Sequence, residues 1–212
     1  MKLHPEELAV RVSGRFACFT RPEYATERVS YPVITPPAAV GVLSAIFWKP
    51  EFDWIITRIW VLTEPKWISM TRNEVKNRAS ASGPIDVIAD RTQRHNLLLR
   101  DVDYVVFGRA ALRPHATEPV AKYRDQFRRR VERGAFFSPP YLGLREYRAS
   151  FSPADLDTLK PSAGLTIPIG PMSLDLGYHG PGGSLTEPEF FPATVREGVL
   201  ADIPVPARLV GR

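Results

Sequence analysis

The spacing of hydrophobic and polar positions changes several times along the chain. In LAVRVSGRFACFT, Leu8, Val10 and Val12 alternate with other positions and predict a first strand. ERVSYPVITPP breaks that pattern, and Pro36 and Pro37 stand where a helix tolerates proline, in its first turn. AAVGVLSAIFW (38–48) then places Val40, Leu43 and Phe47 at i, i+3 and i+7, predicting a helix that Pro50 ends. DWIITRIWVLTEP (53–65), rich in β-branched and aromatic residues, predicts a strand of about ten residues. The polar TRNEVKNRASASGP follows as an insertion or hairpin tip, and DVDYVVFGRAAL (101–112) predicts a further strand. Val120, Tyr123, Phe127 and Val131 fall at i, i+3, i+7 and i+11. They predict a second helix over roughly 118–133, with Gly134 as its C-terminal cap. PYLGLREYRASF (140–151) resumes strand-like character.

The order strand, helix, strand, strand, helix, strand predicts an α+β chain with a ferredoxin-like, or RRM-like, βαββαβ domain. That domain is expected over residues 1–151, with a polar hairpin insert near 70–95. From residue 152 to 212, prolines at 153, 161, 168, 171, 181, 188, 192, 204 and 206 divide the chain into short pieces around GYHGPGGS. A proline-rich β subdomain of short strands and loops is expected there.

Composition narrows the function classes. The 212 residues are enough for a substantial core, and 28 Lys and Arg against 23 Asp and Glu give a modest positive excess. One cysteine, Cys18, rules out an intramolecular disulfide framework and a multi-cysteine zinc site. The apolar runs stop short of the roughly 20 residues a membrane span needs. With no secretory signal at the N-terminus, a cytoplasmic setting is expected. His4, His95, His115 and His179 lack ligand spacing, and Asp53, Asp101 and Asp103 form no metal signature, so neither a metal nor a cofactor is expected.

The segment KYRDQFRRRVERG (122–134) carries the candidate chemistry. Tyr123 sits on or beside the apolar stripe of its helix, and Lys122 lies one step, about 100°, around it. Arg124, Arg128, Arg129 and Arg130 fall mostly off the stripe. They form either a solvated basic face or a surface that holds phosphates through charge and bidentate hydrogen bonds. Arg145 and Arg148 extend that charge downstream. Arg72, Lys76, Arg78, Arg91 and Arg94 make a second basic surface on the polar insert, and Arg28 precedes the first helix. Among the tryptophans, Trp54 and Trp60 share strand parity and are expected to pack on the sheet. Trp48, beside Lys49 at a helix end, is open to either packing or base stacking.

Taken together, ERVSYPVITPPAAVGVLSAIFWKP (27–50), RNEV (72–75), QRHNLLLRDVDYVV (93–106), KYRDQFRRRVERG, YLGLREYRASF (141–151), DLGYH and FFPATVREGVL resemble the CRISPR-associated Cas-five family in its type I-C form. The resemblance spans nearly the whole chain. It implies a ferredoxin-like domain with a smaller β-rich part, and a protein that cuts the repeat RNA at its hairpin base without metal. It further implies that the protein stays on the 5′ handle of the crRNA, beside the backbone and large subunits of an interference complex that meets target DNA. The implied chemistry is attack of a ribose 2′-OH on the adjacent phosphate, leaving a 2′,3′-cyclic phosphate and a 5′-OH.

The family's usual trio is a Tyr or His on the first helix and an adjacent Lys-His at the start of the second. The matching positions here are Phe47, Lys122 and Tyr123. Phe47 has no proton to exchange. An ordinary phenol has a pKa of about 10, so Tyr123 needs a sheltered Lys122 nearby to lower it. Two readings follow. One is a metal-independent endoribonuclease centred on Lys122 and Tyr123, with His115 supplying the missing imidazole. The other is a non-cleaving subunit that binds the crRNA handle.

Overall fold

The structure, a computed structural model, describes residues 6–24, 26–77, 83–179, 184–185 and 187–211. His4, Arg78 and the centre of GYHGPGGS lie outside these residues, as does the side chain of His179.

The chain is α+β, with few helices and a mostly antiparallel sheet. Strand β1 (Leu8–Ala17) leads to helix α1 (Pro36–Ile46), then β2 (Phe52–Val61), β3 (Lys66–Val75) and the long β4 (Arg91–Leu112). Helix α2 (Val120–Glu132) and β5 (Ser150–Pro153) follow. Next come β6 (Ile167–Asp175), β7 (Tyr178–His179), β8 (Ser184–Leu185), β9 (Glu189–Arg196) and β10 (Val199–Leu200). The main sheet runs β5-β1-β4-β2-β10-β9-β6, with β3 paired to β4, and β7 pairs with β8 separately. Pairing of β10 with β2, Val199 to Trp60 and Leu200 to Ile59, carries the sheet from the first half of the chain into the second.

Several boundaries differ from the sequence expectation, each for a visible reason. Helix α1 starts at Pro36 under a Thr35 cap, but it ends at Ile46 with Phe47 extended, not at Trp48. Its buried stripe is Ala39, Val42, Leu43 and Ile46, one step around from the predicted Val40–Leu43–Phe47. The strand predicted over 53–65 ends at Val61 because β3 begins a separate hairpin with β4. That hairpin also extends the strand predicted over 101–112 back to Arg91, with Asp101 at positive φ where β4 exchanges partners. Within 140–151 only Ser150 onward is strand. Residues 141–148 form a turn closed by a Tyr141–Arg148 bridge.

Helix α2 follows its predicted stripe, burying Tyr123, Phe127 and Val131. Gly134, at φ +63, lets its own N–H reach the Val131 carbonyl and the Ala135 N–H reach that of Arg130, which closes the helix. Both helices pack on one sheet face, against Val10, Val12, Tyr104 and Val106 among others. On the opposite face Trp60, Val105 and Phe107 pack with Leu156, Leu159 and Val199. A bulge at Thr57 explains the two tryptophans of β2: register shifts between Ile56 and Arg58. Trp54 therefore joins the helix side and Trp60 the other, although their spacing puts them on one face of a regular strand.

The 141–148 turn presses on the end of β1 at Gly143, where φ is +82 and an added Cβ would lie 1.9 Å from the Cys18 carbonyl oxygen. Gly143→Ala is expected to cost about 3 kcal/mol or more, from positive φ and the clash together. Urea unfolding measures it; a loss under about 1 kcal/mol would show that the turn moves aside.

Candidate RNA-binding and catalytic site

The end of α1 and the start of α2 meet over the first residues of β2. Phe47, just past α1, is 2 % exposed and packs on Phe52 with ring centroids 5.7 Å apart. Phe52 in turn packs on Tyr123 at 5.3 Å and on Trp54 at 5.1 Å. The Trp54 Nε1–H donates to the Phe47 carbonyl at 3.1 Å, and Arg130 Nη1 donates to that of Ile46 at 3.2 Å. These two bonds satisfy carbonyls that the end of α1 leaves open.

Lys122 stands on the solvent side of α2, and its ammonium donates to Glu118 in the loop just before the helix. Tyr123 is 4 % exposed, and its Oη has no hydrogen-bond partner. Burial pushes the phenol up from its ordinary pKa; Glu51 and Glu118 push the same way, and Lys122 opposes them. The condition for Lys122 to lower this phenol, that both groups be sheltered, is not met, and burial outweighs its pull. The amine is outside, paired with a carboxylate, while the hydroxyl is inside. Tyr123 is therefore neutral at pH 7, and its hydroxyl has given up water without gaining a protein partner.

His115 joins the same corner from the loop before α2. Its Nε2 lies 3.1 Å from the Pro50 carbonyl oxygen, which can only accept, so Nε2 donates. The fold thus gathers Phe47, Lys122, Tyr123 and His115 around Pro50–Phe52. Phe47 has no proton to exchange and lies under the Arg130 guanidinium, 5.5 Å from its ring centre.

The arginines divide by role. Lys122, Arg129 and Arg133 follow one another on the exposed side of α2, with Asp125 and Glu132 interleaved. Arg124 and Arg128 lean towards Asp125 at 3.4 and 3.9 Å. Arg130, committed to the end of α1, departs from the run of three. Arg72 forms a two-pronged ion pair with Glu146, holding that carboxyl below its ordinary pKa. Arg28 and Arg94 both approach Glu74, at 3.9 and 3.2 Å. Arg145, Lys49 and Trp48 are exposed, Trp48 by 47 %. Among the described residues, no three His, Cys, Asp or Glu side chains cluster so as to hold a metal ion.

Sequence reasoning passes over three residues here. Glu51 has a buried carboxylate oxygen, Oε2, with no partner. Nothing local signals it, because the burial comes from elements distant in sequence. Phe136 and Phe137 are exposed by 48 % and 70 % beside the α1 end, where the Phe137 N–H bonds the Ala45 carbonyl. An adjacent aromatic pair in a proline-bounded, aperiodic stretch is a readable signal.

Comparison with known proteins shows the family to which the chain belongs. The family described as CRISPR-associated protein (Cas_Cas5), in its Cas5d form, matches residues 7–181. A Thermus thermophilus protein named CRISPR pre-crRNA endoribonuclease Cas5d is 46% identical over 208 residues, covering 91% of this chain and 90% of its own length. A Mannheimia succiniciproducens protein of the same name is 37% identical over 218 residues, covering 93% and 94%. A solved structure described as that of a CRISPR-associated protein superposes with a TM-score of 0.69, covering 92% of this chain and 90% of that one. At 22% identity, it speaks to the fold alone. The chain belongs to the Cas5d family of CRISPR-associated proteins, the type I-C form of Cas5.

Proposed function

We propose that this chain is a pre-crRNA endoribonuclease that binds the CRISPR repeat hairpin, cuts at its base and keeps the 5′ handle within a cytoplasmic type I-C interference complex. The backbone and large subunits, and target DNA through them, are its further partners. In this reading β5-β1-β4-β2 with α1 and α2 is a ferredoxin-like RNA-binding unit over residues 1–151. Residues 152–212 are a β-rich part built onto its sheet. The observation that carries the reading is the corner where an exposed Lys122 stands beside the buried Tyr123, at the head of the Arg129–Arg133 stripe. The name shared by the two relatives supports it.

The chemistry is attack of a ribose 2′-OH on the adjacent phosphate. Lys122 supplies positive charge where the phosphorane and the leaving 5′ oxygen develop negative charge. Tyr123, neutral, acts as a hydrogen-bond donor rather than a base. Arg129 and Arg133 hold phosphates and set register without reading sequence. Trp48 and Phe137 offer exposed rings to unpaired bases.

Two observations favour the second reading, a subunit that binds the handle without cutting it: Phe47 is inert and the Tyr123 phenol is held protonated. Incubating purified protein with its cognate repeat RNA in EDTA decides between them. Cleavage at the hairpin base is expected. Tight binding without a cut would establish the binding-only role. Lys122→Ala is expected to lower the single-turnover rate by about 10²-fold or more while binding changes little. Loss of affinity at an unchanged rate would make Lys122 a grip alone.

Joint replacement of Arg129 and Arg133 by Ala should flatten the slope of log K against log salt by about 1.4, at roughly 0.7 per phosphate contact. Arg130→Ala should leave that slope unchanged and loosen the fold instead. Trp48→Ala and Phe137→Ala should each weaken binding of unpaired repeat RNA by about 1–3 kcal/mol; equal affinity would show that these rings meet no base.

A further inference from the structure

Gly41 stands sixth of the eleven residues of α1, an interior position where glycine is the poorest helix former after proline. No described residue requires it there. Its backbone is ordinary helix, and a Cβ added to it would meet no heavy atom within 4 Å. Glycine inside an element otherwise marks a place where something comes close to the backbone.

The space beside Gly41 is a cavity of about 290 Å³. It lies between Gly41 on α1, Thr20 after β1, Tyr141 on the 141–148 turn and Leu176 after β6. Its rim is open to solvent, since Gly41 is exposed, Tyr141 is exposed by 37 % and Leu176 by 49 %. None of the residues lining it is charged, and their side-chain polar groups are hydroxyls and one thiol. Hydroxyls such as those of Thr20 and Tyr141 can donate or accept.

Charge lies just outside. Arg145 and Arg148 stand exposed on the same turn as Tyr141, and neither pairs with a carboxylate among the described residues. The acid of that turn, Glu146, is held by Arg72. An uncharged slot with an aromatic ring at its lip and cations beside it complements a nucleotide. The base is a flat neutral ring with hydrogen-bonding edges, and the phosphate carries the charge.

The cavity also continues the surface assigned above to RNA. Residues 134–141 run beside α1 from its end, where the Phe137 N–H bonds the Ala45 carbonyl, to Tyr141, which shares the cavity with Gly41. Phe136, Phe137 and Tyr141 are exposed along this stretch. An unpaired strand that meets Trp48 and Phe137 therefore has a path of rings leading to the cavity.

We propose that this cavity receives one unpaired nucleobase of the RNA, stacked on Tyr141 in the space beside Gly41, with Arg145 and Arg148 on the flanking phosphates. This rests on the RNA-binding part of the reading above and holds whether or not the chain cuts. A base seated here fixes the register of the strand relative to the Lys122 corner at the other end of α1.

The test measures the affinity of the purified protein for the unpaired, repeat-derived 5′ handle RNA, with a melting midpoint for every variant. Gly41→Leu grows a side chain into open space and replaces a poor helix former by a good one. It should melt no lower than wild-type protein and bind the RNA about 10-fold or more weakly. Tyr141→Ala should lose about 5- to 150-fold, the range that stacking of one base on an aromatic side chain supplies, and Tyr141→Phe should keep wild-type affinity. Single abasic substitutions along the RNA locate the base. At one position the loss should match that of Tyr141→Ala, and the same abasic RNA should lose nothing further on the Tyr141→Ala protein.

Wild-type affinity in either Gly41→Leu or Tyr141→Ala overturns the proposal and leaves RNA binding by the rest of the surface standing. A loss in both variants that no abasic position reproduces also overturns it, because the cavity then holds something other than a base. If Gly41→Leu melts well below wild-type, Tyr141→Ala and the abasic series decide by the same criteria. Wild-type protein that does not bind the repeat RNA removes the reading itself, and the proposal with it.

Discussion

The Phe52 ring is clasped from three sides, and each contact secures a different part of the molecule. Phe47 brings the end of α1, Tyr123 the start of α2 and Trp54 the sheet beneath them. Edge-to-face and offset pairs of this kind add about 0.5–1.5 kcal/mol each beyond the area they bury. Their geometric effect matters more than their energy. Neither helix end can shift without prising open the same aromatic cluster, which Phe127 completes against Trp54 at 4.9 Å. The polar groups at the corner inherit this rigidity. Tyr123 is held by its ring, and Glu51 is covalently next to Phe52.

Charge is distributed by a different rule from the one its totals suggest. Many of the cations are answered locally: Arg11 by Asp103, Arg58 by Glu7, Arg72 by Glu146, and Arg113 by Asp53. Arg208 bridges Asp53 and Asp175, tying β2 to β6 and to the end of the chain. These pairs fasten strands and loops together. The formal charge of +5 is what remains after this pairing. The outward side of α2 receives part of it, and this gives the stripe its distinct character within a moderately basic protein.

What can be read from the sequence follows the range of the forces involved. The stripe of α2 and the glycine that ends it are local, and 3.6-residue periodicity finds them directly. β3 escapes the pattern because only one of its faces is partly buried, and on that face Ile68 and Met70 give way to Arg72 and Glu74, so its second half reads as a polar tip. The bulge at Thr57 is a one-residue event with large consequences: it sends Trp54 and Trp60 to opposite faces, and no composition rule marks it. The joining of β10 to β2 depends on residues far apart along the chain, Trp60 and Val199 among them, and on a very short pairing. In the candidate site, Lys122 and Tyr123 are visible in the sequence as a pair. Their division into one outer and one inner group, the diversion of Arg130 to the α1 carbonyl, and the stranded oxygen of Glu51 are properties of packing.

The ion pair between Glu118 and Lys122 sets how the corner meets an anion. The glutamate sits in the loop just before the helix, and an exposed pair of this kind contributes only about 0.2–1 kcal/mol. Before any ligand arrives the lysine is therefore neither unattended nor firmly bound. It rests in a shallow well that any better-placed negative group can empty at little cost, so the corner carries a counterion of its own that it can exchange. Small inorganic anions in the surrounding solution compete with a single weak carboxylate. A polyanion laid along α2 competes with the whole stripe engaged at once. The same exchange that is indifferent to a passing anion becomes decisive when the incoming charge is part of a chain.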